Sequence, residues 1–354
     1  MAPPPVPPKP VANPFADFLD LASHKLGGFA LASNDDFFAE RDNLLKAEPA
    51  RFDVDAYTER GKWMDGWESR RNRTPGKDHD WVVIRLGLPG ELVGVDVDTS
   101  YFVGNAPEEI ALEGLVWDGA LRPHEVEHIP EDRWRPLIPK TKVERGAHNL
   151  LPVPASENSA RVTHVRLKIF PDGGVARFRA YGKVKPDWSR VIANQLVDLA
   201  SVAWGGKALA CNDAFFSSRD NINMPWSSRR MDDGWETRRR RSYNASADGG
   251  DWILLQLGKA GRVRQAILET HHFKGNPPDV ARLEAIHLPG ASVDELLAAP
   301  WQVLLPDMPL EPHWTHTFSK ELVELGPITH VRLVIQPDGG VSRLRLLCDL
   351  GDLP

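Results

Sequence analysis

Lys62-Trp63-Met64-Asp65-Gly66-Trp67-Glu68-Ser69-Arg70-Arg71 is written a second time in this chain, as Arg230-Met231-Asp232-Asp233-Gly234-Trp235-Glu236-Thr237-Arg238-Arg239. Asp-Gly-Trp-Glu-(Ser/Thr)-Arg-Arg mixes glycine, tryptophan and both signs of charge, a combination that does not recur by chance, so the chain is an internal duplication. Downstream, Asp80-Trp81-Val82-Val83-Ile84-Arg85-Leu86-Gly87 is matched by Asp251-Trp252-Ile253-Leu254-Leu255-Gln256-Leu257-Gly258. Upstream, Asp20-Leu21-Ala22-Ser23 recurs letter for letter as Asp198-Leu199-Ala200-Ser201. Asn34-Asp35, Phe37-Phe38 and Arg41-Asp42-Asn43 return as Asn212-Asp213, Phe215-Phe216 and Arg219-Asp220-Asn221. The interval from Asn221 to Asp233 is ten residues shorter than that from Asn43 to Asp65, a length change expected of a surface loop.

The periodicity inside each copy reads mainly as strand. Asn13 to Ser23 spaces its apolar residues three and four apart, which predicts a short amphipathic helix capped by Asn13, echoed from Trp188 to Ser201. From there, short β-branched runs dominate: 81–86, 92–97, and the alternating Thr163-His164-Val165-Arg166-Leu167 and Thr329-His330-Val331-Arg332-Leu333. Asp98-Thr99-Ser100-Tyr101-Phe102-Val103-Gly104-Asn105 and Glu269-Thr270-His271-His272-Phe273-Lys274-Gly275-Asn276 end in Gly-Asn turns. Pro-Asp-Gly-Gly-Val at 171–175 and 337–341 predicts tight hairpins, with returning strands that carry Arg177 and Arg343. The expected fold class is all-β: two tandem jelly-roll β-sandwiches, each with a short helical lead-in. The expected boundaries are a disordered Pro-rich tail at 1–12, repeats at 13–183 and 191–349, a linker at 184–190 and a tail at 350–354.

Composition bounds the function. The 354 residues are 42% hydrophobic and 26% charged, as in a soluble globular protein, and no apolar run reaches membrane-spanning length. A net charge of -6 argues against a general nucleic-acid binder, despite the run Arg238 to Arg241. Cys211 and Cys348 fall in no metal-ligand spacing, and Met1 to Pro10 lacks a signal-peptide core, so a reducing, cytoplasmic location is expected.

The paired Asn-Asp-x-Phe-Phe, Asp-Gly-Trp-Glu-(Ser/Thr)-Arg-Arg, Asp-Trp, Phe-x-Gly-Asn, His-Val-Arg-Leu and Pro-Asp-Gly-Gly-Val segments resemble allantoicase, allantoate amidinohydrolase, from Asn13 to Asp349. The resemblance implies two jelly rolls similar to galactose-binding-like modules, and hydrolysis of allantoate to ureidoglycolate and urea in purine catabolism. It implies allantoate as the small-molecule partner; neither nucleic acid nor membrane is expected, and further copies of the chain are. A two-domain jelly roll that only binds a small anion or sugar is the rival from another class.

Allantoate carries a carboxylate and two ureido groups on one carbon. Releasing urea requires a cation for the carboxylate, groups that read ureido ends, a proton donor for the departing nitrogen and a base for water. Arginine meets a carboxylate with a planar fork, which selects Arg41, Arg70, Arg71, Arg166 and Arg177 with their echoes Arg219, Arg238, Arg239, Arg332 and Arg343. Asp35, Asp65 and Asp213 stand beside them, and the same arginines equally serve to clamp loops through ion pairs with Asp35, Asp65, Glu68 and Asp80. Asn34, Asn43, Asn105, Asn212, Asn221 and Asn276 both donate and accept, as a ureido group requires. For acid-base work the candidates are Glu68 and Glu236, then His164, His330, His271 and His272. His271 and His272 stand where repeat 1 has Ser100 and Tyr101, so the two copies need not hold equivalent sites. Trp67, Trp81, Trp235 and Trp252 are expected in the core.

His124-Glu125-Val126-Glu127-His128 has the spacing of a zinc peptidase helix, but Pro123 and Pro130 enclose it and repeat 2 offers Ala291 and Glu295 opposite the two histidines. No metal ligand and no cofactor is assigned. Divalent metals bound by oxygen leave no tight spacing signature, so metal dependence stays open.

Overall fold

The structure, a computed structural model, describes residues 7–154, 160–192, 194–240 and 249–351. Residues 1–6 of the expected tail, Arg241 at the end of the arginine run and residues 352–354 lie outside the described residues. Two compact units meet between Lys185 and Pro186. The first contains β1 (Leu19–Asp20), β2 (Phe29–Ser33), β3 (Tyr57–Thr58), β4 (Gly61–Lys62), β5 (Trp67–Glu68), β6 (Asp80–Asp98), β7 (Glu109–Leu115), β8 (Arg135–Lys142), β9 (His148–Pro152), β10 (Val162–Phe170), β11 (Gly174–Val175) and β12 (Arg177–Val184). The second contains β13 (Val197–Asp198), β14 (Lys207–Cys211), β15 (Trp235–Glu236), β16 (Asp251–Glu269), β17 (Val280–Ile286), α1 (Val293–Ala298), β18 (Gln302–Pro309), β19 (Thr315–Phe318), β20 (Ile328–Gln336), β21 (Gly340–Val341) and β22 (Arg343–Asp349). No helix among the described residues is long and apolar enough to cross a membrane.

Each unit is a jelly-roll sandwich organised by one long strand. The runs 81–86 and 92–97, expected as two strands, form the single 19-residue β6. Its first half pairs with β2 and β10; its second half pairs with β12 and β9. The change of partners occurs at Gly87-Leu88-Pro89-Gly90, where the β10 register slips from Arg85 to Gly90. Glycine and proline there let the strand bend from one layer into the other. The order β1-β12-β6-β10-β7-β8 is repeated as β13-β22-β16-β20-β17-β18, with β14 and β19 joining β16.

Two local expectations are corrected. The helical lead-ins do not form. Asn13 does accept from the Phe15 amide at 2.8 Å, but the chain makes only a turn and then pairs Leu19 and Asp20 with β12. A helix this short nucleates poorly, whereas β12 offers an open edge on which Leu21 and Ala22 become fully buried. In the second unit the lead-in is a 3₁₀ turn, Trp188–Arg190, followed by β13. Nor is Pro-Asp-Gly-Gly-Val a tight hairpin. β10 and β12 flank β6 on opposite sides, and Gly174-Val175 pairs instead with Trp67-Glu68. The Asp-Gly-Trp-Glu strand takes the backbone groups that a hairpin would have used. Gly173 does hold a positive φ of 134°. A Cβ at Gly66 would lie 2.4 Å from the Val175 carbonyl oxygen, so the motif's glycine permits this contact.

Trp67, Trp235, Phe102 and Phe273 are fully buried, while Trp81 and Trp252 are half-buried. The additional residues of repeat 1 form the exposed hairpin β3–β4. Asp20 and Asp198 sit beneath the edges of the sheets, where each accepts a strand amide, from Ala180 at 2.9 Å and from Leu346 at 2.9 Å. Burial pushes both carboxyls up to about 6, against the opposing pull of those amides and of Arg179 and Arg345. The folded protein therefore holds protons that the unfolded chain has lost, and this contribution to stability falls as pH rises from about 4 to about 6. The double variant Asp20→Asn/Asp198→Asn should lose that slope, changing its stability relative to the parent by about 2–3 kcal/mol per group across the window. Urea unfolding followed at several pH values checks this; parallel profiles would remove the assignment.

Candidate functional site

The duplicated motifs converge at one end of each sandwich because they hydrogen-bond to one another. In repeat 1 the Trp67 indole donates to the Asp35 carbonyl at 2.7 Å, joining Asp-Gly-Trp-Glu to Asn-Asp-x-Phe-Phe. Asn34 donates to Asp80 and accepts from the Trp81 amide, both at 2.6 Å, which adds Asp-Trp. Asn105 of Phe-x-Gly-Asn donates to Glu68 Oε1 at 2.6 Å, and Asp172 of Pro-Asp-Gly-Gly accepts from the Asn72 amide at 2.7 Å. Repeat 2 reproduces the interlock through Trp235 to Asp213, Asn212 with Asp251 and Trp252, Asn276 to Glu236 and Arg240 to Asp338. Asn43 and Asn221 anchor the same loop by donating to the carbonyls of Gly66 and Gly234.

At the centre of each cluster stands a glutamate. Asn276 donates to Glu236 Oε1 at 2.6 Å, the same distance as in repeat 1. Among the described residues Oε2 of each has no hydrogen bond. Burial raises both carboxyls above the ordinary glutamate range. In repeat 1 the Asn105 bond and the Arg71 charge oppose this rise; in repeat 2 only the Asn276 bond does. Beside each glutamate an exposed pair of rings, Phe37-Phe38 and Phe215-Phe216, packs edge to face at 5.1 and 4.8 Å.

The flanking arginines separate the copies. Arg70 Nε meets Asp35 at 2.7 Å and Arg71 meets Asp172 at 3.3 Å. Asp35 is held below the usual carboxylate range, its burial outweighed by the Phe37 amide and Arg70. In repeat 2, Arg238 lies over the Phe215 ring at 4.3 Å and gives Asp213 only its backbone amide. Arg239 is exposed and has no ion pair or hydrogen bond among the described residues. Repeat 1 thus neutralises its motif arginines, whereas in repeat 2 the Arg238 and Arg239 guanidinium groups meet no carboxylate among the described residues.

The remaining candidates stand elsewhere. Arg41 pairs with Asp36 at 2.6 Å, and Arg219 lies 3.8 Å from Asp220. Asp65 binds Arg177 at 2.7 Å and Lys46 at 3.2 Å; Arg177 and Arg343 are buried beneath the loops. Arg166 is gripped by Glu113 and Glu131 against the Trp134 ring, and Arg332 by Glu284 against Trp301. His164 and His330 are buried in their strands, each with Nδ1 beside the preceding threonine hydroxyl. Burial, with the Arg85 charge, lowers His164 to about 4, so it is neutral at neutral pH; burial also lowers His330. His272 takes the left-handed backbone of Tyr101 (φ 72° and 69°), and its Nε2 donates to the Ser228 carbonyl at 3.0 Å. His271 Nε2 sits 2.9 Å from the Thr315 hydroxyl. None of these side chains hydrogen-bonds Glu68 or Glu236 among the described residues.

His124 to His128 lies in the 3₁₀ turn Pro123–His128, where three residues per turn carry His128 round from His124. Asp172 and Asp338, which order the loop after each glutamate, are not among the sequence candidates, because Pro-Asp-Gly-Gly reads as a turn. Their exact repetition was the available signal.

The chain matches the Allantoicase repeat family over residues 19–185 and 197–350. A probable allantoicase of Photobacterium profundum is 41% identical over 336 residues, covering 94% of this chain and 96% of that protein. A probable allantoicase of Stutzerimonas stutzeri is 42% identical, covering 96% and 98%. The crystal structure of allantoicase from Saccharomyces cerevisiae superposes with a TM-score of 0.72 at 32% identity, covering 94% of this chain and 93% of that one. On the sequence of both repeats and on the fold they build, the chain belongs to the allantoicase family.

Proposed function

We infer that the protein hydrolyses allantoate to ureidoglycolate and urea, with the chemistry at the Glu236 end of repeat 2. The observation that carries the placement is a glutamate oriented by one asparagine and raised in pKa by burial, followed in the chain by Arg238 and Arg239, which meet no carboxylate among the described residues. The substrate carboxylate is held by Arg239 with Arg238. The protonated Glu236 carboxyl gives its proton through Oε2 to one ureido nitrogen as the bond from that nitrogen to the central carbon breaks. Water then delivers hydroxyl to the carbon and its other proton to the Glu236 carboxylate, so urea leaves and the acid is restored. Asn276 fixes which carboxyl oxygen faces outward. Repeat 1 has the same glutamate, but with Arg70 and Arg71 tied to Asp35 and Asp172 it grips an anion less well.

Purified protein incubated with allantoate should release urea and ureidoglycolate in equal amounts; allantoate binding without urea would leave the non-catalytic alternative. Arg239→Ala should raise KM at least about tenfold, the worth of one charged hydrogen bond, and Arg71→Ala should change it less. Equal effects would place substrate in both repeats.

A further inference from the structure

Repeat 1 holds a cavity of about 450 Å³ lined by Asp96, Asp98, Ser100, Tyr101, His148 and Tyr181 and walled by residues 7–11. That volume is in the range of small-molecule sites. Asp96 is 6% exposed; its Oδ2 lies 2.8 Å from His148 Nδ1, while its Oδ1 is buried with no hydrogen-bond partner. Asp98 Oδ1 accepts from the Ser100 amide at 2.8 Å and from the Ser100 hydroxyl, and lies 4.0 Å from His148 Nδ1. A buried carboxylate oxygen without a donor is rare in folded proteins and calls for explanation.

The scaffold does not demand this carboxylate. Asp98 faces Arg177 across the sheet and Glu269 faces Arg343, so the counterpart of Asp96 is Ile267, and that of His148, opposite Asp98, is Thr315. The same sheet position is filled by a hydrocarbon in the other copy. Repeat 1 has therefore gathered acceptors around a space, next to the half-buried Asp20, with Lys9 on the rim and with Arg179, opposite Asp96 on β12 and 3.8 Å from Asp20, as the nearby cation that only partly offsets the acids. No grouping fit to hold a metal ion exists among the described residues. A ligand suited to these walls is a compact planar cation with several N–H groups, able to bridge two carboxylates and lie against tyrosine rings.

We propose that this cavity binds a guanidinium-bearing small molecule, with Asp96 Oδ1 and Asp98 receiving its N–H groups and Tyr101 and Tyr181 lining its faces. It is distinct from the Glu236 site and does not depend on the reaction assigned there.

Methylguanidinium chloride titrated into the full chain, with the His148 ring proton followed by NMR, tests the proposal. A saturable shift is expected, weakened at least about tenfold in Asp96→Asn and left at parental affinity in Glu236→Gln. Tetramethylammonium, which has the charge but no N–H, should give no saturable shift. Asp98→Asn serves as the second variant if Asp96→Asn does not fold, and should weaken binding similarly. A non-saturating response, equal effects of the two cations, or unchanged affinity in the aspartate variants would overturn the assignment.

Discussion

Glu236→Gln should lower kcat for urea release by about 10²–10⁴-fold, the span associated with loss of a positioned proton donor. Glutamine keeps the shape, and Asn276 can still donate to its carbonyl oxygen, so folding should be unaffected. What is removed is the exchangeable proton on an oxygen that faces outward. The same exchange at Glu68 should cost less, because Arg71 already opposes protonation there and is itself bound to Asp172. Urea release with saturating allantoate measures both. An equal large loss at Glu68 would move the chemistry into both repeats, and full activity in Glu236→Gln would end the assignment.

The second large effect is structural. Arg343 is 1% exposed and donates to the carbonyls of Trp226 at 2.6 Å, Asp233 at 2.5 Å and Ser342 at 2.6 Å, with Asp233 Oδ2 at 3.3 Å. Arg177 does the same for Glu48, Asp65 and Ala176, with Asp65 Oδ2 at 2.7 Å. Each guanidinium pins the loop that enters Asp-Gly-Trp-Glu to the first residue of the returning strand. Arg177→Met leaves the buried Asp65 carboxylate with only Lys46 and the Arg51 amide and takes the donor from four carbonyls, those of Glu48, Pro49, Asp65 and Ala176, and should cost about 3–5 kcal/mol. Adding Asp65→Leu should restore part of that loss, since the buried charge that has lost its closest partner is then gone. Denaturant unfolding of the single and double variants reads it out. A stable Arg177→Met protein that has lost urea release would instead place this arginine in the chemistry.

These two cases show why some residues could be read directly and others not. Repetition marked Glu68, Asn105 and Trp67 with their echoes, and the interlock explains the repetition, since each motif satisfies polar groups of another. Repetition could not say which arginine is neutralised. Arg70 and Arg238 have identical sequence neighbours on one side and both lie over a phenyl ring, yet among the described residues only Arg70 also binds a carboxylate. Whether a guanidinium is free depends on groups far away in the chain, such as Asp172. Single-copy residues were invisible to this route: Asp96 and His148 belong to no repeated motif and meet only through the pairing of β6 with β9.

From sequence alone came the duplication, the strand-rich sandwich, the family and the glutamates, because each rests on local patterning or on motifs preserved in order. The tertiary structure decided that the lead-ins are turns running into two-residue strands, that Pro-Asp-Gly-Gly crosses to β5 rather than closing a hairpin, and that Arg238 and Arg239 meet no carboxylate among the described residues. Those outcomes turn on competition between distant partners for the same backbone amides and carboxylates, and a linear pattern does not record which partner wins.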